Sequence, residues 1–194
     1  MTVRLSKINN VLLVLIILID GYIVIGPFLP AILFHAPNHA ARQRQLVQKL
    51  RPSTPPATPQ PNQLVVPSML LDQPIYDGPE SQQYSILNKG IWRFSYGSTP
   101  DKGGNTVLIG HRFTYTNPRG VFYYLNEVKM GDEIGVWWNN KNYLYRVRSI
   151  TEVPPTDTAI EHNTSQPELT LFTCTPLWLP KDRLVVVANL ETKP

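Results

Sequence analysis

Cysteine is nearly absent: Cys174 stands alone among 194 residues. One thiol cannot close a disulfide within the chain, so no disulfide framework holds the fold, and zinc sites built on two or more cysteines are excluded. Charge is also sparse, at 16 % of residues against 42 % hydrophobic ones, where soluble domains carry about 25 % charge. That deficit points to a membrane segment. No strong single-sign charge exists outside the N-terminal third. Residues 1–62 carry six Lys and Arg against Asp20, while residues 63–194 carry twelve against thirteen acids. The +4 formal charge therefore belongs to the first third, and the remainder lacks the basic patch that a nucleic-acid partner requires. Proline is what the chain has in excess, at 19 residues.

Residues 11–34, VLLVLIILIDGYIVIGPFLPAILF, contain one charge, Asp20. As a helix rising about 1.5 Å per residue, this stretch crosses a hydrocarbon core of about 30 Å. Arg4 and Lys7 precede it. A cleaved signal peptide is the nearest competing reading; the apolar run exceeds the usual h-region of about 7–15 residues, which favours an uncleaved signal-anchor embedded in the lipid bilayer. Asp20 is costly at mid-span and can face a partner helix or a water defect. The positive-inside count, with more cations after the span than before it, does not by itself decide which side the remainder occupies.

Residues 39–50 (HAARQRQLVQKL) read as a short polar helix. Residues 51–62 place five prolines in twelve positions, which excludes helix and central strand and favours an extended spacer. The predicted organisation is an N-terminal tail over 1–10, an anchor over 11–34, a juxtamembrane segment and Pro-rich linker over 35–62, and one domain over 63–194.

That domain is mainly β. Runs rich in β-branched and aromatic residues occur at 63–66, 69–71, 106–109, 133–138, 144–153, 169–173 and 184–190. Asn139 to Asn142 reads as a hairpin turn. Phe122, Leu125 and Val128 recur at helical spacing within 120–128. Many short strands with one or two small helices predict a closed or nearly closed β-barrel.

Three polar residues stand at strand ends. His111 follows NTVLIG, Cys174 follows LTLFT, and Arg183 precedes LVVVANL. The eight-residue loop between Cys174 and Arg183 can return the chain antiparallel, placing both on one rim. A thiol needs a base or an ion-pair partner to attack a carbonyl, and His supplies it; a permanently charged Arg donates hydrogen bonds to the oxyanion that follows. Each residue alone also fits a plainer role: a small buried thiol, a strand-capping imidazole, a solvated guanidinium. Glu161 and His162 precede the Cys174 strand, but one Glu without a second acidic cluster falls short of the six to eight oxygens that calcium takes, so no metal and no cofactor are predicted. Asn163-Thr164-Ser165 fits the glycosylation pattern, a match common by chance.

The surrounding motifs carry a resemblance. TLFTC at 170–174 resembles the TLxTC signature of the sortase family, GNTVLIGHR at 104–112 resembles the strand that bears the sortase histidine, and RLVVVA at 183–188 the strand that bears its arginine. PIYDG at 74–78 and Gly131-Asp132 are further landmarks. The short interval from Cys174 to Arg183 is closest to class C and class D sortases, although Asp72 is followed by Gln73 and so lacks the Asp-Pro-aromatic lid of class C.

The resemblance implies a sortase-like closed barrel of about eight strands and a cysteine transpeptidase that cleaves an LPxTG-like sorting signal between Thr and Gly. Cys174 would form a thioacyl enzyme, His111 would serve as general acid and base, and Arg183 would bind the substrate backbone and oxyanion. Thr173 would line the pocket, and Trp178 would either touch the sorting signal or cap the core. The partners implied are surface proteins carrying the signal and an amine acceptor on a peptidoglycan precursor or a pilin-type lysine. The domain would face the cell exterior, with the N-terminus cytoplasmic. Two other classes compete: an L,D-transpeptidase-like cell-wall enzyme, which needs a histidine close upstream of its cysteine rather than 63 residues before it, and a non-catalytic membrane-tethered β module with Cys174 buried.

Overall fold

Apolar side chains that alternate along a strand can all be buried only if the sheet has an inside. A computed structural model of the chain shows how this one obtains it; the model describes residues 2–25, 34, 38–52, 60–114, 117–177 and 179–192. Eight strands close into a barrel in the order β1-β2-β3-β4-β7-β8-β6-β5. They are β1 (Gln63–Val66), β2 (Leu71–Asp77), β3 (Ile91–Arg93), β4 (Asn105–Ile109), β5 (Glu133–Trp138), β6 (Lys141–Val153), β7 (Glu168–Thr175) and β8 (Asp182–Thr192). Pairings are antiparallel except β2 with β3 and β4 with β7. Pairing of β1 with β5 closes the ring and removes the free sheet edges.

The interior is filled by Leu64, Ile91, Leu108, Ile134, Leu169 and Val186 among others, all fully buried. A second apolar layer covers the outer face of β4, β7 and β8. It comprises Val107, Phe172 and Val185, with Phe94, Val153 and Ile160 packed against them.

Six of the seven predicted strand runs recur as strands with small changes at their ends. The seventh, 69–71, is displaced. Residues Pro67–Met69 form a 3-10 turn, Leu70 takes a left-handed conformation with φ 53°, and β2 begins at Leu71. Pro74 masks this strand in the sequence, yet it is accommodated. The Ile75 amide donates to the Asn62 carbonyl on the β1 side, so position 74 turns its nitrogen the other way, where pairing with β3 starts only at Ile75. Strand β3, of three residues, is too short to read from pattern. The hairpin turn narrows to Asn139-Asn140, both at positive φ, as a two-residue type I′ loop between twisted strands requires. The helix expected over 120–128 is instead a run of turns and one 3-10 turn at Leu125–Glu127. Phe122, Leu125 and Val128 are still buried, because their three-residue spacing suits a 3-10 turn as well as an α-helix.

Helix α1 (Thr2–Ile25) forms the N-terminal unit. Its stretch Lys7–Ile25 is unburied, with a mean hydropathy of 2.4 over the span, long and apolar enough to cross a membrane. Asp20 lies within it. The rest of the predicted anchor, 26–33, lies outside the described residues, as does most of the Pro-rich segment (53–59).

Helix α2 (His39–Leu50) matches the predicted polar helix residue for residue. Its end belongs to the barrel unit. Leu50 packs with Val65, Trp137 and Leu144 and is 2 % exposed. Gly135 makes room for it: a Cβ there would lie 2.6 Å from Leu50 Cδ2. Asn142 Nδ2 donates to the Leu50 carbonyl at 2.7 Å, satisfying one of the acceptors that a helix C-terminus leaves open. Lys49 and Arg51 pair with Asp72 (2.6 Å) and Glu133 (2.7 Å). Leu50→Ala is expected to destabilise the chain by about 2–3 kcal/mol, the cost of a buried cavity. A melting temperature unchanged in that variant would show that α2 contributes nothing to the barrel.

Candidate active site

The register of three neighbouring strands assembles the site. Strands β4 and β7 run parallel, with Val107 beside Thr170 and Ile109 beside Phe172. Gly110 extends this contact, its amide donating to the Phe172 carbonyl at 3.4 Å. His111 and Cys174 each lie two residues beyond the last pair. On the other side of β7, antiparallel β8 sets Arg183 directly opposite Cys174. Side chains alternate across a sheet, so Ile109 and His111, Phe172 and Cys174, and Val185 and Arg183 share one face. That face is the outer one, since Phe172 and Val185 belong to the outer apolar layer. His111, Cys174 and Arg183 thus end a row across three adjacent strands, on an apolar floor. Cys174 is exposed and free.

The turn holding His111 is built on close approach. The His111 carbonyl accepts from the Phe122 amide at 2.9 Å, and the Gly120 amide donates to the Arg112 carbonyl at 3.1 Å. A Cβ at Gly120 would collide with the His111 carbonyl oxygen, and one at Gly110 would meet Val121 Cγ1 at 2.6 Å. Only glycine lets segment 120–122 lie this tightly against the histidine backbone.

Burial lowers the pKa of the His111 imidazole below its ordinary value, because desolvation disfavours the charged form. The folded protein then binds fewer protons here than the unfolded chain between the depressed value and about 6.5, the model-peptide figure. Stability rises with pH where the unfolded state binds more protons. The contribution of neutral His111 is therefore complete above pH 6.5 and lost as pH falls toward the folded value. Melting temperature is expected to drop on acidification from pH 7 to 5, and the drop should shrink in His111→Gln. Identical pH profiles for the two chains would remove this assignment.

Arg183 is held from two sides. Its Nη1 donates to Glu161 Oε1 at 2.7 Å, and its Cζ lies 5.0 Å from the centroid of the Phe172 ring, within cation–π range. Glu161, considered in the sequence as a metal ligand, is spent on this ion pair. Among the described residues no group of three or more His, Cys, Asp and Glu side chains is arranged to hold a metal.

Thr173 departs from its expected place. It faces the barrel interior, 2 % exposed, and its Oγ1 donates to the Gly110 carbonyl at 2.7 Å. It ties β7 to the end of β4 and faces away from the Cys174 side of the strand, for the same reason of alternation. Trp178 lies outside the described residues.

Two residues that sequence reading passed over complete the surroundings. Arg112, half-buried and with its pKa lowered by that burial, donates from Nη1 to Thr175 Oγ1 at 2.9 Å and from Nη2 to Asn126 Oδ1 at 3.0 Å. It binds the turn after His111 to the residue after Cys174. Asn105, 2 % exposed, accepts from Thr170 Oγ1 at 2.8 Å and donates from Nδ2 to the carbonyls of Ile160 and His162. The one signal for it was a lone Asn opening an apolar strand. Asn163, the first residue of the glycosylation-like triplet, accepts from the Asn105 amide at 2.9 Å.

Comparison with known proteins gives a consistent result. A family model described as Sortase domain matches residues 64–191. Sortase SrtE1 of Streptomyces coelicolor is 29 % identical over 147 residues, covering 68 % of this chain and 40 % of that protein. Sortase D of Bacillus subtilis is 29 % identical over 116 residues, covering 58 % and 53 %. The chain thus spans about half the length, or less, of these curated relatives. Among solved structures, sortase C1 of Streptococcus agalactiae superposes with a TM-score of 0.60 at 24 % identity, over 78 % of this chain and 77 % of that one. Listeria monocytogenes sortase A gives 0.58 at 24 % identity, over 70 % and 89 %. At these identities the structural likeness speaks for the fold.

Proposed function

Because the chain belongs to the sortase family, we propose that it is a membrane-anchored cysteine transpeptidase with Cys174 as nucleophile, His111 as general acid and base, and Arg183 as the group that binds the substrate backbone and the oxyanion. The observation that carries this reading is the single row formed by the three residues on the outer face of β4, β7 and β8.

The chemistry follows from that row. The Cys174 thiolate attacks the carbonyl carbon of the scissile peptide bond, between Thr and Gly of an LPxTG-like signal. Negative charge moves to the carbonyl oxygen, where a guanidinium donates hydrogen bonds without risk of losing its own proton. As the C–N bond breaks, the His111 imidazolium delivers its proton to the departing amine, leaving a thioester on Cys174. An incoming amine then attacks the thioester. The now neutral His111 removes its proton, and the thiolate departs as the new amide forms. Protons and bonds balance over the cycle, and no cofactor takes part. At unperturbed values near 8.5 for Cys and 6.5 for His, only a minority of such pairs are thiolate–imidazolium at neutral pH. A depressed His111 lowers that fraction further.

The acyl donors are surface proteins carrying the sorting signal, and the acceptor is an amine on a peptidoglycan precursor or a lysine of another surface protein. Both require the barrel outside the cell, with residues 11–34 in the bilayer and residues 1–10 in the cytoplasm. Incubating the full chain in detergent with a library of LPxTG-like peptides, followed by intact-protein mass spectrometry, tests the reading. The expected result is an adduct on Cys174 equal to the donor fragment, released by an added amine such as triglycine or hydroxylamine. Cleavage without any such adduct would defeat the acyl-enzyme route.

A further inference from the structure

The reaction proposed above uses Arg183 but says nothing of what aims it. An arginine side chain carries four rotatable bonds, and its function here depends on presenting unoccupied N–H groups beside Cys174. We infer that Glu161 is a positioning residue for Arg183, so that the segment between β6 and β7 sets the geometry of the oxyanion-binding guanidinium. This inference rests on the transpeptidase reading for its catalytic meaning, whereas the pinning of the head group does not.

Three observations carry it. First, Glu161 takes Nη1 of Arg183 at 2.7 Å, and both side chains are largely buried, 17 % and 23 % exposed. A charge-assisted bond in so shielded a place is stronger than one on an open surface. It leaves Nη2 and Nε of the guanidinium for a substrate oxygen. Second, the Phe172 ring lies against the same head group at 5.0 Å. Two contacts on different sides of a planar group fix its orientation as well as its position. Third, Glu161 is itself held from the floor of the site. Asn105 Nδ2 donates to the carbonyls immediately before and after it, Ile160 at 3.2 Å and His162 at 3.0 Å. Gly104, at φ +77°, has Asn163 packed where a Cβ would stand. The start of the strand that leads to His111 therefore also clasps the turn that aims Arg183. One strand serves both the base and the oxyanion group.

The test uses the full chain in detergent and a fluorogenic LPxTG-like peptide. Glu161→Ala is expected to lower kcat/KM about 10–100-fold. Glu161→Gln, which keeps an acceptor at Oε1, should recover most of that loss. In the Arg183→Lys background, where the planar fork is already gone, Glu161→Ala should cost less than twofold further. A purely structural role for the turn would instead cost the same factor in both backgrounds, and that result overturns the inference.

A second readout does not depend on turnover. Nitrogen-15 spectra of the arginine guanidinium groups should show restricted rotation of the Arg183 head group in the parent chain and free rotation in Glu161→Ala. Free rotation in the parent chain overturns the inference directly. Restricted rotation in a chain that cleaves no peptide of the library fails the transpeptidase reading while leaving the pinning of Arg183 established.

Discussion

Cys174→Ala is expected to eliminate peptide cleavage while leaving the protein folded. Removal of a catalytic nucleophile costs on the order of 10⁴–10⁶ in kcat, since water held in its place is a far poorer nucleophile and no covalent intermediate forms. The fold should barely respond. Cys174 is exposed, its backbone bonds to β8 are unaffected by truncation, and exposed substitutions stay within about 0.5 kcal/mol. Substrate binding should persist as well, because Arg183 and the apolar floor of Phe172 and Val185 remain. The variant should therefore bind a sorting peptide with nearly the parent affinity, measured by fluorescence anisotropy, and release no product. Residual turnover above about 1 % of the parent rate would show that another group carries the acyl transfer. Treatment of the parent chain with a methanethiosulfonate reagent should reproduce the loss, whereas an inert thiol would favour the non-catalytic β module.

His111→Ala is expected to lower kcat by about 10²–10⁴, the usual contribution of a positioned general acid–base, with little effect on KM. In the proposed reaction two steps depend on this imidazole: protonation of the leaving amine and deprotonation of the attacking one. The loss should therefore appear both in acylation, followed as adduct formation on Cys174, and in aminolysis of the adduct. A loss confined to one half-reaction would assign the other proton transfer elsewhere. The turn should survive the substitution, because its hydrogen bonds run through the His111 carbonyl and the Gly120 and Phe122 amides rather than through the ring. Full activity in His111→Ala would defeat its assignment as general acid and base.

Much of the barrel was legible because a sheet closed on itself imposes a strict two-residue period. Strands β1 and β5 were readable to the residue, and Asn139-Asn140 marked the hairpin between β5 and β6, since few residues other than Gly and Asn accept consecutive positive φ values. What escaped was local pattern without length. Strand β3 has three residues, and β2 contains Pro74, whose fitness for a strand depends on where the neighbouring strand begins. Helix α2 was readable as a helix, but nothing in HAARQRQLVQKL showed that Leu50 would drop into a space left by Gly135, 85 residues away.

The sequence by itself put forward the proposed reacting groups. A single thiol, a histidine and an arginine at strand ends, set in family motifs, restrict the chemistry because each side chain brings a function that its neighbours lack. The location of the net charge, the apolar N-terminal span and the mainly β character of residues 63–194 are likewise properties of composition and period. Only the tertiary structure decided which side of the sheet those groups occupy. Alternation turns Cys174 outward and Thr173 inward, so a residue one position from the proposed nucleophile braces β4 from within the barrel. It also decided what holds the machinery: Glu161 on Arg183, Asn105 on the turn that carries Glu161, and Gly120 beneath His111. These contacts join residues 9 to 57 positions apart. Their existence depends on how strands register across the barrel, and no spacing along one chain encodes that.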